Sequence, residues 1–273
     1  MDAKAFFNQH IVFRFEEFLA AANKENGRSV ATANNVRTML HRYCKNGKLL
    51  NVRKGLYVVM SDQTYQSNII NPFLVAGNAT DDAVVAYHSA LESHNIAYTD
   101  FNEHMYVTSH QTNDFDFQNQ HYHAVYHREH HLNNIASDGI ETMNIMGTEI
   151  RRTTLARTVV DVLNRPNISG GWEEVIRSLD RITSFDVSFA VDYALSLKRA
   201  SIAAKLGYFL ENQSQYFRVD LSILNQLLIN IPRQPYYIDR TTIGKSIFFK
   251  KWQIIVPKYL HERQWEEPNE FDN

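Results

Sequence analysis

The side chains best placed for chemistry in the first sixty residues are cationic and hydrogen-bonding rather than nucleophilic. Thr32, Asn34, Asn35, Arg37, Thr38, His41, Arg42 and Lys45 recur at a spacing that sets them on one side of a helix, and Lys48, Arg53 and Lys54 follow closely. Amides and guanidinium forks match base edges, while guanidinium and ammonium groups match phosphates. The pattern predicts contact with double-stranded DNA, by a helix face for the first eight residues and by a basic hairpin tip for the last ones.

Other clusters bear on catalysis or metal binding. Seven of the twelve histidines lie between His104 and His131, and His121, His123 and His127 share one face of an extended strand. A zinc site needs three or four converging ligands, and a strand face alone spreads its side chains. With no cysteine nearby, the reading is an exposed polar face, with no metal and no cofactor. Arg157 and Asp161 stand four apart, as a helix-surface ion pair or an anchor for neighbouring loops would. His88 and Ser89 are helix neighbours that point in different directions, so they do not make a nucleophile and its base. Phe217-Arg218-Val219-Asp220 is the nearest fragment to a restriction-type nuclease site, but it lacks the accompanying acidic pair and lysine. No catalytic residues are assigned, and the chain is expected not to be an enzyme.

The elements that must position the basic residues can be read from periodicity. Ala3 to His10 and Phe15 to Asn23 have helical patterns, and Asn26-Gly27 breaks the second. Thr32 can cap a third helix running to about Asn46, with Gly47 behind it. Val36, Met39, Leu40 and Tyr43 then face inward, which turns the polar set outward. Strands over Leu49–Val52 and Gly55–Val59 leave Arg53, Lys54 and Gly55 as a hairpin tip. Helix, helix, polar-faced helix and basic hairpin is the order of a winged helix-turn-helix.

Beyond it, Asn71–Ala79 and Asp82–His94 read as helices, with Ala83, Tyr87, Ala90 and Leu91 on a buried face. Met105–Thr108, Gln120–His127 and Gly147–Arg151 read as strands. Thr153 or Thr154 caps a helix from Leu155 to Asn164. Helices over Trp172–Leu179, Asp186–Leu197, Ser201–Glu211 and Leu221–Leu228 follow, then strands at Tyr236–Asp239 and Ile254–Val256. The predicted fold class is α+β: a winged helix-turn-helix over 1–60 and a larger mixed α/β domain over 61–273.

Charge divides the chain in the same place. Residues 1–60 carry ten basic and four acidic side chains, net +6, whereas the remaining 213 carry 18 basic and 26 acidic, net −8. The first part suits a polyanion. The single Cys44 excludes an internal disulfide framework, and neither a secretory leader pattern nor a run of about 18 apolar residues occurs. The expected location is cytoplasmic and nucleoid-associated, with no membrane partner.

With the elements placed, the chain resembles the AbiEi family, the antitoxin and transcriptional-regulator component of type IV (AbiE) toxin–antitoxin phage-defence systems. The likeness rests on Val12-Phe13, Phe15-Glu16-Glu17-Phe18, Gly47-Lys48-Leu49 and Arg53-Lys54-Gly55-Leu56-Tyr57 in the N-terminal part. It continues through Tyr87-His88-Ser89-Ala90-Leu91-Glu92-Ser93-His94 and Thr153-Thr154-Leu155-Ala156-Arg157-Thr158-Val159-Val160-Asp161-Val162-Leu163, with Arg165-Pro166 and Gly170-Gly171 behind. Ala203-Ala204-Lys205-Leu206-Gly207-Tyr208-Phe209-Leu210-Glu211 and Trp252-Gln253-Ile254-Ile255-Val256-Pro257 complete it. The resemblance implies autorepression at inverted-repeat operators and a C-terminal domain that counters a nucleotidyltransferase toxin. Two alternatives remain open at this point: a stand-alone regulator with a protein-interaction domain, and a DNA-binding nuclease.

Overall fold

The computed structural model describes residues 3–25, 32–60, 69–127, 138–213, 219–239 and 245–264. The chain is mixed α and β and divides into two compact units. The first comprises Met1–Ser89, Phe101–Leu132 and Ile140–Arg152; the second comprises Ala90–Asp100, Asn133–Gly139 and Thr153–Asn273. The expected boundary after residue 60 falls inside the first unit. Val12, Val52, Leu56 and Val58 there share one buried cluster with Ile70, Leu74, Val85, Tyr106 and Tyr122, so the apolar core runs on past the expected junction.

The first unit opens with α1 (Ala3–Gln9), β1 (Val12–Arg14), α2 (Phe15–Glu25), α3 (Ala33–Lys45), β2 (Leu49–Arg53) and β3 (Leu56–Val59). The three strands form a sheet in the order β1-β3-β2, with both pairings antiparallel. β1 was not expected. Three residues are too few for a periodic signal, and only pairing of Val12 with Val58 and Phe13 with Tyr57 defines them as a strand.

The chain continues with α4 (Pro72–Gly77), β4 (Val84–Val85), α5 (Tyr87–Ser93), whose residues from Ala90 on belong to the second unit, β5 (Glu103–Thr108), β6 (Phe115–Phe117), β7 (Gln120–Tyr126), β8 (Ile140–Ile145) and β9 (Thr148–Thr153), whose last residue does too. Six of these are strands of one mixed sheet, ordered β6-β7-β5-β4-β9-β8. Asn71 caps α4 by accepting from the Phe73 N–H at 2.9 Å. The single helix expected over Asp82–His94 is corrected: Val84 and Val85 pair with Val107 and Tyr106, and the helix starts only at Tyr87, whose φ is +55°. A short apolar run satisfies helix and buried-strand patterns equally, and the available sheet edge decides. Ala83, Tyr87, Ala90 and Leu91 are buried as expected.

Asp82 ties β4 to the end of β5. Its Oδ1 accepts from Thr80 Oγ1 at 2.8 Å and Thr108 Oγ1 at 2.6 Å, and its Oδ2 accepts from the Ser109 N–H and hydroxyl, both at 2.6 Å. Burial disfavours the charge, but the four donors outweigh it and hold this carboxyl well below the usual carboxylate range.

The second unit is largely helical: α6 (Leu155–Asn164), α7 (Gly171–Leu179), α8 (Val187–Ser196), α9 (Ala200–Asn212), α10 (Leu221–Leu228) and α11 (Lys258–Glu262). A small sheet, β10-β12-β11 (Tyr236–Tyr237, Ile254–Pro257, Ser246–Phe249), accompanies them. Thr154 caps α6 by accepting from the Arg157 N–H. Arg157 and Asp161 are not a surface pair. Their side chains are 4% and 6% exposed, Arg157 Nε donates to Asp161 Oδ2 at 3.3 Å, and Tyr193 Oη of α8 donates to Oδ1 at 2.8 Å. The pair thus anchors α6 to α8. Lys205 of α9 is also buried, donating to the Leu163 carbonyl at 2.9 Å between the Trp172 and Tyr236 rings. Burial, with Arg199 adding to it, pushes its pKa down to about 8.

Two stability outcomes follow. A Cβ on Gly207 would stand 2.0 Å from the Trp252 ring, whose Nε1 is fixed by donating to Glu211 Oε2 at 2.7 Å. Gly207→Ala should therefore destabilise by roughly 1–3 kcal/mol, against the gain of about 1 kcal/mol that the same change gives in an open helix. Urea unfolding followed by tryptophan fluorescence checks this, and a stabilised variant contradicts it. Asp82 has a folded pKa below its unfolded value of about 3.9, so its stabilisation is complete above that pH and fades as pH falls below about 4. Asp82→Asn should lose about 1–3 kcal/mol at pH 7 and show a shallower decline between pH 5 and 3. Urea midpoints across that range measure it; an unchanged acid limb contradicts it.

Candidate nucleic-acid interface

α3 is held by one face. Val36 and Leu40 are fully buried, and Met39 and Tyr43 pack beside them against Phe6, Phe13, Phe15, Phe18, Leu49 and Val59. The aromatic rings of this core lock together: Phe6 meets Phe13 and Phe18 edge-on at 5.2 and 5.0 Å, and Phe7 meets Tyr43 edge-on at 5.1 Å. With the inner register fixed in this way, 100° per residue sets the remaining positions outward.

Every expected contact residue of α3 accordingly lies on the surface. Thr32, Asn34, Asn35, Arg37, Thr38, His41, Arg42 and Lys45 are all exposed, as are Lys48 behind the helix and Lys54 in the hairpin. Thr32 Oγ1 accepts from the Asn35 N–H at 3.3 Å and so caps the helix. Arg37 Nη1 donates to Asn34 Oδ1 at 3.2 Å while its guanidinium lies 5.0 Å from the Phe15 ring centre. Thr38 Oγ1 donates to the Asn34 carbonyl at 3.0 Å, and the Lys48 ammonium sits 5.9 Å from the Tyr43 ring. Residues 26–60 contain seven basic side chains and no acidic one. Asn26-Gly27, the expected breaker before the helix, lies outside the described residues.

Arg53 is the exception. The register of β2 against β3 shifts between Asn51 and Arg53, a bulge that re-aims the side chain. Instead of reaching out from the hairpin tip, its guanidinium donates to Thr112 Oγ1 at 3.0 Å, to the Asn113 carbonyl at 3.4 Å and to the Ala79 carbonyl, and it stacks on Phe115 at 4.6 Å. Arg53 thus fastens the hairpin to the rest of the first unit. Lys54 and Gly55 alone form the turn, Gly55 at φ +85°.

The other sequence clusters take structural places. Ser89 Oγ accepts from the Met105 N–H at 2.8 Å, so its hydroxyl supports the large sheet. Asp220 caps α10 by accepting from the Ser222 N–H at 3.0 Å, while Phe217 and Arg218 lie outside the described residues. His121 and His123 do share a face, as expected, but it is half-buried and lined by carboxylates. Glu103, Asp114 and Asp116, which line it, carried no signal in the sequence: strand register places Glu103 and Asp116 opposite His121, and Asp114 reaches His123 from just before β6. His127 follows β7, and His130 and His131 lie outside the described residues.

Among the described residues no helix is long and apolar enough to cross a membrane. No family model matches the chain, and no curated protein matches it. Among solved structures, the chain is similar to the crystal structure of the RV2827C protein from Mycobacterium tuberculosis, with a TM-score of 0.56 and 12% identity over 93% of this chain and 89% of that one. At that identity the likeness shows the fold alone.

Proposed function

We propose that the segment from Ala3 to Val59 is a winged helix-turn-helix that binds double-stranded DNA, with α3 as recognition helix and Lys54 on a short wing. The observation that carries this reading is the outward face of α3: amide, hydroxyl, imidazole and cationic groups, all exposed, on a helix whose other face is clamped by aromatic rings. Such a face can offer donors and acceptors to base edges in a major groove while Arg37, Arg42, Lys45 and Lys48 meet phosphates. Arg53 belongs to the frame of this domain and not to its contact set.

The biological role we infer is that of a transcriptional repressor acting on its own operon, of the AbiEi kind. The residues beyond the DNA-binding segment, net −8, would counter a nucleotidyltransferase toxin encoded alongside. This rests on the sequence resemblance described above. Co-expression of the full chain with the neighbouring nucleotidyltransferase should restore growth, and persistent growth arrest contradicts the antitoxin role.

DNA binding is measured by gel shift on the duplex upstream of the coding sequence across a salt series. Arg37→Ala/Arg42→Ala should weaken binding at least about tenfold and reduce the slope of log affinity against log salt by about 1.8, the loss of two phosphate contacts. Arg53→Ala should leave that slope unchanged yet destabilise the fold by about 1–3 kcal/mol, since it strips the donor from a partly buried carbonyl. A folded Arg37→Ala/Arg42→Ala variant with unaltered affinity and slope contradicts the assignment.

A further inference from the structure

The large sheet gathers a second set of groups. β5 runs parallel to β7 with Glu103 opposite His121, and β6 runs antiparallel to β7 with Asp116 opposite His121. Residues matched across adjacent strands project from the same face, and His123, two positions along β7, joins them. One ligand atom from each of Glu103, His121 and His123 lies within 4.8 Å of the others. All three side chains are half-buried, shielded on the sheet side and reachable from solvent.

Both rings are already oriented. His121 Nδ1 lies 2.7 Å from Asp116 Oδ1, and His123 Nδ1 lies 2.7 Å from Asp114 Oδ2. Asp114 is itself fixed, its Oδ1 accepting from the Ala124 N–H at 2.8 Å. An imidazole that gives its Nδ1 proton to a carboxylate carries its lone pair on Nε2, the arrangement in which histidines ligate metals.

We propose that Glu103, His121 and His123 bind a divalent transition-metal cation of the zinc type, with Asp114 and Asp116 as positioning residues. Two imidazoles and a carboxylate are a known donor set for such ions and leave a coordination position for water. The carboxylates of Glu103, Asp114 and Asp116 converge on the two rings, a concentration of negative charge that a dication offsets. The other such grouping among the described residues, Asp81, Asp82 and His110, is different, because the Asp82 oxygens are filled by four hydroxyl and amide donors.

The test uses the full chain, stripped with a chelator, titrated with zinc chloride by calorimetry and with cobalt(II) by visible absorption. One cation per chain should bind, with cobalt giving the d–d bands of a low-coordinate nitrogen–oxygen site. His121→Ala/His123→Ala should abolish uptake and Glu103→Gln should weaken it. Asp114→Asn should weaken it by about 10–100-fold with an unchanged circular dichroism spectrum, and His110→Ala should bind normally. Should the double histidine variant fail to fold, Glu103→Gln and Asp114→Asn decide the matter. No stoichiometric uptake by the native chain, or uptake that survives these substitutions, overturns the proposal.

Discussion

The clamping of one face of α3 by aromatic rings is the constraint on which the DNA-binding account depends. Val36 and Leu40 sink into a cluster built from Phe6, Phe13, Phe15 and Phe18, and a helix so anchored cannot rotate without exposing them. Side chains at the intervening positions then have one place to go. The polar character of Asn34, Asn35, Thr38 and His41 costs nothing there, since water satisfies them until a ligand does. Burial on one side thus makes the other side a presentable surface, and the absence of acidic residues from 26 to 60 leaves that surface cationic.

Much of this was legible in the sequence. The Thr32 cap, the Val36/Leu40 register and Gly47 behind the helix are local signals, each decided within one or two turns. The helices of the second unit were legible for the same reason: a period of 3.6 marks them, helped at Leu155–Asn164 by a capping threonine, and the structure adds Asp186 and Asp220 as caps of two more. What failed to show was set by partners far along the chain. Val84 and Val85 become a strand because β5 and β9 offer edges, and Arg53 turns inward because a bulge and the Ala79 carbonyl claim it. The Arg157–Asp161 pair was visible as a spacing, but its burial depends on α8 bringing Tyr193.

The same distinction explains the histidine-rich stretch. His121 and His123 were legible as neighbours on a strand face, and that face alone argues for solvent. The carboxylates that change its chemistry come from β5, from β6 and from the residue just before β6, and only register places Glu103 and Asp116 opposite His121. A sheet can thus assemble a polar cluster without leaving a motif in the sequence, whereas a helix writes its face into a short window.

Lysine acetylation footprinting of the full chain, with and without the duplex upstream of its coding sequence, tests the central claim most directly. The account predicts that DNA protects Lys45, Lys48 and Lys54 while the exposed Lys198, Lys250 and Lys258 react as before. Protection that spares Lys45 and Lys48, or falls equally on all six, would contradict it.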